Sequence, residues 1–473
     1  MSEEKSRKPE EIEIPGRTRT QISVNLANII DNSDGQILPA LYEQIGYSLR
    51  LNALELGTIT GVRSLLQAVT TPIWGWWSDK HSRKALLACG CFLWGFCTLL
   101  TGIAVSYVDI IIWRAITGIG LAVIVPTSQS LIADYFPPEK RGTAFGWLGL
   151  TGVIGAIFGT IYATALVASG QPIFGMEAWR FVFFTMALMS ILVGLLVFLA
   201  SKDPIRGKSE HELTKVITSE KAKKYQLKSS DYKKILKNKT FNLILLQGVA
   251  GSIPWNGIFF MVLWWEFMGF DSLTAGLMFS LVAVGAAVGN LMGGWIGDIA
   301  ARWRPRSGRI IVAQISVLSG IPLTYVIFIL IPPTAGSMLA YILLGGFTGL
   351  LISWCGPQNN AIFSEISEPE IGSTVFSVDR VFEGSAAALG TVVVGLIAGL
   401  LGYTTPAVHI SDLPSAVRIA DMTALAQGMF IVAVVSWILC LLFYTFVYKT
   451  YPGDAEKIRK ILEQRRKELE EMR

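Results

Sequence analysis

Carboxylates and guanidinium groups sit inside long apolar runs of this chain, where each intramembrane charge costs at least ~2.5–3.5 kcal/mol and marks a functional position by default. Asp31, Asp34 and Glu43 share one run with Asn28, Asn32 and Gln36; Arg63 and Gln67 lie in the next, and Arg114 in a fourth. Asp34 lies about as deep as Arg63, whose run goes the other way, and pairing offsets the desolvation of both groups. The spacing predicts an Asp31/Asp34–Arg63–Arg114 cluster. Two kinds of chemistry are open to it: contact with a substrate or coupling ion, or an ion-pair network that fixes helices. Further along, Asp379 and Glu383 are one helical turn apart on the same face, with Arg380 between them. One guanidinium neutralises only one carboxylate fully, which leaves the other suited to carry a proton. The same trio, near a membrane face, equally suits a gate that latches two halves.

Enzyme chemistry has little to work with. G-x-x-x-x-G-K-[ST] does not occur, which argues against nucleotide drive. The three histidines (His81, His211, His409) fall outside the apolar runs, so neither a histidine metal cluster nor a Ser-His-Asp set is expected. Cys89, Cys91, Cys97, Cys355 and Cys440 fall inside them, at spacings that suit neither zinc nor a disulfide framework, and read as small buried hydrophobes. No cofactor is expected.

The apolar runs decide the fold class. Hydrophobic residues make up 52% of the 473 residues and charged residues only 16%, against about a quarter in soluble domains. Runs of about 20 apolar residues match the hydrocarbon core of a bilayer. They predict helices near 20–45, 54–77, 85–105, 109–132, 143–167, 179–200, 241–268, 273–298, 310–331, 337–358, 374–401 and 425–448. The expected fold is an all-α membrane protein of twelve transmembrane helices in two pseudo-symmetric six-helix bundles. Charged stretches divide it into a segment 1–19, a bundle 20–200, a linker 201–240, a bundle 241–448 and a helical tail 449–473 with i,i+4 pairs such as Glu463–Lys467. The polar N-terminal segment lacks the apolar core of a cleavable leader.

Arg17, Arg19, Lys80, Arg83, Lys84, Lys140, Arg141, Arg302, Arg304, Arg306 and Arg309 all fall on one side, with the lysine-rich linker and the tail. That side and both termini are therefore expected in the cytoplasm. The linker, with EKAKKYQLKSSDYKK, reads as a membrane-surface segment with a short amphipathic helix, not as a nucleic-acid site.

The two halves repeat. Gly75-Trp-Trp-Ser-Asp79-Lys-His-Ser-Arg83-Lys84 follows the second helix, and Gly294-Trp-Ile-Gly-Asp298-Ile-Ala-Ala-Arg302 follows the eighth. Pro126-Thr-Ser-Gln129-Ser-Leu-Ile-Ala-Asp134 precedes Pro138-Glu139, and Pro357-Gln-Asn-Asn360-Ala-Ile-Phe-Ser-Glu365 precedes Pro369-Glu370 at identical spacing. Parallel halves of this kind support rocking around a central site. The first helix is expected to break at Asp34-Gly35 and Pro39, the seventh across Gly251 to Gly257, and such paired breaks point to the binding site. Trp255 and Asn256 then line it, while Trp264 and Trp265 read as interfacial anchors. Gln358 and Asn359 either contact polar groups of the cargo or cap a helix end.

These motifs carry a resemblance. The Gly75–Lys84 loop resembles the signature loop of the major facilitator superfamily, Arg114-Ala-Ile-Thr-Gly118-Ile-Gly120 its fourth-helix motif, and Gly146, Gly149, Gly152, Gly155 and Gly159 its glycine-rich fifth helix. Asn25–Asp31, Gln247–Asn256 and Arg380–Ser385 resemble the Spinster-like group and its plant relatives of unknown substrate. Spinster-like carriers usually have Asp-Arg in the first helix, where Asp31 here is followed by Asn32. The group is implicated in moving lysophospholipids and sphingolipids. The resemblance implies a latch of Asp79, Arg83 and Asp134 on the cytoplasmic face, with Arg141 and Asp298 as further members.

The expected protein is a secondary carrier working by alternating access, coupled to a proton or other ion gradient. Arg63 and Arg114 favour a small organic anion or amphipathic solute, a lysolipid included. The rivals are a passive lipid scramblase or channel and a non-transporting receptor. A monomer in the plasma (inner) membrane is expected.

Overall fold

A computed structural model describes residues 15–135, 138–204, 237–367, 372–404 and 409–471, apart from some side chains within helices, those of Asp79, Lys80, Asp134 and Arg141 among them. The linker's amphipathic helix and Pro369-Glu370 lie outside the described residues, and the Glu463–Lys467 pair outside the described side chains.

Among the described residues the apolar runs become twelve helical spans. The first is α1 (Arg17–Ala40) continued by α2 (Tyr42–Leu49); α3 (Ala53–Lys80) and α4 (Arg83–Gly102) follow. The fourth is α5 (Tyr107–Leu121) with α6 (Ile124–Tyr135), then come α7 (Pro138–Val167) and α8 (Ala178–Ala200). The second half opens with α9 (Lys239–Gly257) and α10 (Met261–Phe267) as one span, then α11 (Ser272–Trp303) and α12 (Gly308–Tyr325). The tenth is α13 (Met338–Ile352) with α14 (Cys355–Glu365), followed by α15 (Gly372–Leu400) and α16 (Ser415–Glu471). Ten of the twelve are apolar and long enough to cross a membrane by composition alone. The other two, α1–α2 and α3, contain Asp31, Asp34 and Arg63, so the charge cluster itself lowers their hydropathy.

Four spans are interrupted: the first, fourth, seventh and tenth. The fourth breaks at Ala122–Val123 and the tenth at Ser353–Trp354, each four residues before a proline (Pro126, Pro357). Proline has no N–H for the carbonyl four residues back, so the helical ladder is cut at those places. The first and seventh break later than expected. The first helix continues through Asp34-Gly35 and stops at Leu41; the seventh continues to Gly257 and turns at Ile258–Phe260. A proline is tolerated inside a helix when its freed carbonyl is satisfied nearby, and α1 runs through Pro39. The tail also differs. It continues the twelfth span: α16 runs unbroken from Ser415 to Glu471, through Pro452.

Glycines set how closely the spans pack. A Cβ on Gly155 or Gly159 would collide with the α1 backbone at Ile29 and Ser33, and one on Gly118 with the Arg63 carbonyl. Small residues of this kind let backbones touch inside a membrane. Gly75 lies against Pro126 and Gly294 against Pro357: a Cβ on these glycines would stand 3.7 and 3.8 Å from the respective proline ring. The two echoed motifs therefore meet each other, in the same way, in each half. The halves join through α3 on α15 and α7 on α11. Gly57, Gly61 and Gly395 bring α3 and α15 into backbone contact, and Thr391 Oγ1 donates to the Gly57 carbonyl at 2.8 Å.

Candidate transport site

The expected cluster forms. α1 presents Asp31 and Asp34, α3 presents Arg63 and Gln67, and α5 presents Arg114 to one buried point. Asp34 Oδ1 accepts from Arg114 NH1 at 2.9 Å and Asp34 Oδ2 from Arg63 Nε at 3.1 Å. Arg114 also donates to the Asp34 carbonyl at 3.3 Å, and Thr98 Oγ1 from α4 reaches Oδ1 at 3.4 Å. Arg63 lies 3.6 Å from Asp31 Oδ1, and Gln67 ties the two by accepting from Arg63 and donating to Asp31, both at 3.3 Å. Asp34 and Arg114 are 1% exposed, Arg63 and Asp31 6–7%, so only the Asp31–Arg63 side has any opening. Two carboxylates face two guanidinium groups, and the group is neutral as a whole. Arg114 Nε has no hydrogen-bond partner among the described residues. A guanidinium with a spare buried donor suits a bidentate anion.

The second half is less unified. Asn359 is buried in a chain in which it donates to Gln247 Oε1 at 2.7 Å and accepts from the Tyr444 hydroxyl at 2.7 Å. Gln247 and Tyr444 were missed by sequence reasoning, although Gln247 is a lone amide in an apolar stretch. Gln358 does not join them: it donates to the Gly293 carbonyl at 2.7 Å and locks α14 onto α11. Asp379 is 4% exposed and its Oδ1 has no partner among the described residues. Glu383, one turn on, lies against Gly248 of α9. Arg380 is exposed and forms no ion pair with either among the described residues, so the trio is not a closed salt bridge. Trp255 lines a narrow apolar cavity inside the second half, shared with Phe328, Thr348 and Trp437, and Asn256 packs on Gly390 of α15. Trp264 and Trp265 are fully buried, not at a lipid interface. Trp264 packs on Tyr341 and Phe328 instead.

On the face that carries the termini, Arg83 is 1% exposed and grips the end of α8. Its backbone N–H and Nε donate to Asp203 at 2.6 and 2.8 Å, NH1 donates to Ser130 Oγ at 2.9 Å, and NH2 donates to the Pro204 carbonyl at 2.9 Å. Asp203, the first acid after the sixth span, is a partner that sequence reasoning did not identify. Lys84 stands 5.7 Å from the Phe198 ring. Among the described residues of the second half Arg309, not Arg302, is the pairing cation: it holds Asp298 at 3.1 Å and Glu365 at 2.8 Å. α11 continues through Arg302, which points to solvent, and Arg309 enters at the start of α12, where Arg83 enters at the start of α4. The expected contacts of Asp79, Asp134 and Arg141 lie outside the described side chains.

On the opposite face, a polar bridge joins the halves. Gln44 Nε2 donates to Glu43 Oε2 at 2.8 Å and to Ser272 Oγ at 3.1 Å, and Ser272 donates to Glu266 Oε1 at 2.6 Å. His409 lies 3.8 Å from Glu43 and stacks on Tyr47. Glu266, a single acid in an apolar stretch, was also missed.

The sequence profile of the Major Facilitator Superfamily matches residues 25–391, which include every residue of the central cluster. The chain belongs to the Major Facilitator Superfamily. It is a multi-pass membrane transporter, not an enzyme. A D-galactonate transporter of Escherichia coli is 25% identical over 61% of this chain and 69% of its own length. The multidrug resistance protein MdtG of Escherichia coli is 26% identical over 77% of this chain and 83% of its own. Among solved structures, a bacterial homologue of the human lysosomal transporter Spinster, inward-facing and unoccupied, superposes with a TM-score of 0.80 at 19% identity, covering 93% of this chain and 98% of that one. The nucleoside transporter NupG superposes at 0.66 with 16% identity, over 91% and 98%. The likeness to these structures is one of fold.

Proposed function

We propose that the protein is a proton-coupled carrier working by alternating access, whose cargo is a small organic anion or amphipathic acid. The observation that carries this is Asp34 held between Arg63 and Arg114. A cargo carboxylate or phosphate that takes over Arg63 or Arg114 displaces Asp34 or Asp31, which then takes a proton. Anion and proton thus enter the site together. The named substrate of the D-galactonate relative is an organic anion, which agrees with this class.

Residues 20–200 and 241–448 act as the two rocking units, joined by the 201–240 linker. The face with the termini is cytoplasmic, by its arginines and lysines. The described hydrogen bonds between halves, Gln44–Ser272 and Thr391–Gly57, lie toward the other face, which supports an inward-facing conformer. Asp379 and Glu383 line the inner part of the path and serve as a second proton-accepting pair. Arg83, held by Asp203, and Asp298, held by Arg309, brace the inner ends. The membrane is the plasma membrane and the unit a monomer. In proteoliposomes with an imposed inward proton gradient, sugar acids and lysophospholipids are tested for uptake. Accumulation abolished by a protonophore supports the reading. Equilibration without accumulation, for every cargo that moves, contradicts it and favours a passive pathway.

A further inference from the structure

The polar bridge on the face opposite the termini contains a carboxyl group that nothing in the cluster balances. Glu266 ends the seventh span, is 5% exposed, and has one oxygen satisfied by Ser272. Its other oxygen, Oε2, is buried with no hydrogen-bond partner among the described residues, as is Gln44 Oε1 on the facing segment α2. Each of these acceptors, on facing elements, lacks a donor of its own among the described residues, while the Gln44 amide leans on the Glu266 carboxyl. An ionised carboxylate buried this way forfeits several kcal/mol of hydration with no cation to offset the loss. A carboxylic acid supplies what is missing: its O–H is a donor.

The neighbours point the same way. The groups around Glu266 are Glu43 on α2, Asp271 at the start of α11, Tyr403 after α15 and, behind Tyr403, Asp421 on α16. Asp421 is occupied by the Thr404 N–H and hydroxyl at 2.7–3.1 Å, and Asp271 caps α11 by accepting from the Thr274 N–H at 3.0 Å. The basic side chain placed in this group is His409, half-exposed, on the far side of Glu43. Arginine and lysine are absent from the described contacts.

We propose that Glu266 is a proton-binding site of the outer gate, and that the gate closes only with the proton bound. Uptake of H⁺ from the outer solution by the exposed carboxylate lets Glu266 enter the bridge with Gln44 and Ser272. Release of the same proton when the gate parts returns a hydrated carboxylate, so atoms and charge balance. The closed gate binds one more proton than the open one, so falling pH favours closure and rising pH favours opening. The inference rests on the alternating-access reading above.

The test is a distance across the gate. Val105, 77% exposed in the first half, and Leu339, 67% exposed in the second, lie on this face and take spin labels through Val105→Cys and Leu339→Cys in a background without native cysteines. The full chain in lipid nanodiscs is measured from pH 5.5 to 8.5, with and without an added sugar acid. The wild type is expected to show a short distance at low pH and a growing long-distance population at high pH, the ratio changing up to about tenfold per pH unit. Glu266→Gln is expected to stay short throughout. Glu43→Gln keeps the acid but removes the charge that opposes an ionised Glu266 in the closed gate, and is expected to leave more of the gate closed at high pH. A Glu266→Gln protein that opens with pH as the wild type does, or a Glu43→Gln protein that opens as fully at high pH as the wild type, overturns the gate. A wild type whose two distances respond to added sugar acid but not to pH also overturns it and leaves the carrier reading intact. A single distance under every condition contradicts rocking itself.

Discussion

Asp34 receives both buried guanidinium groups, and its two oxygens are divided between them. Asn in its place keeps the shape and removes the charge, leaving two arginines against Asp31. Removing one partner of a buried pair costs about 3–5 kcal/mol. We expect Asp34→Asn to be inserted and folded with a lowered melting temperature, and to lose proton-coupled uptake at least about tenfold. Thermal unfolding and uptake measured on the same preparation check both parts. Arg114→Lys is expected to impair uptake comparably, since an ammonium cannot hold the side chain and carbonyl of Asp34 in a fork. This cluster was legible in the sequence because charges in apolar runs are rare and depth can be counted along a helix. Gln358 was not: an amide reads alike whether it faces a cavity or, as here, the Gly293 carbonyl of the next helix. Glu266 was visible as a lone acid, but only the fold brings it to Gln44.

Proline position explains two of the four broken spans, the fourth and the tenth. Pro126 and Pro357 cut the fourth and tenth spans four residues upstream, while the Asp34-Gly35 step leaves α1 intact. Pro357→Ala restores a donor for the Ser353 carbonyl. It is expected to raise the melting temperature and slow uptake, read by calorimetry and initial rates. The glycine row of α7 gives a graded test. Gly155 and Gly159 touch the α1 backbone, whereas a Cβ on Gly149 meets nothing within 4 Å. Gly155→Leu is expected to lower the melting temperature and yield sharply, and Gly149→Ala to change neither. The row itself was legible as a close-packing face. Which of its members touch α1 was not, because that depends on the register between two helices.

At the scale of the molecule, the repeat is the feature that organises the rest. Gly75 meets Pro126 and Gly294 meets Pro357 at nearly equal separations, so the echoed motifs are paired structural joints, one in each half. The symmetry relaxes where the halves do different work. Charge pairs concentrate in the first half around Asp34, and neutral hydrogen bonds around Asn359 in the second. It also relaxes at the loops, where Arg309 replaces Arg302. A carrier built this way moves cargo only if the two faces open in turn. Ala53 on α3 and Gly395 on α15 touch on the face opposite the termini. Gly395→Leu drives a side chain into that contact, and is expected to hold this face apart and slow uptake, read by initial rates.

The most direct test of proton coupling at the Asp34 centre is proton movement itself. Proteoliposomes loaded with a pH-sensitive dye, without an imposed proton gradient, are challenged with an outward-to-inward gradient of each organic anion that the protein transports. The account predicts that anion influx acidifies the interior in the wild type and not in Asp34→Asn. Anion influx with no change of internal pH in the wild type, or equal acidification in the mutant, contradicts it.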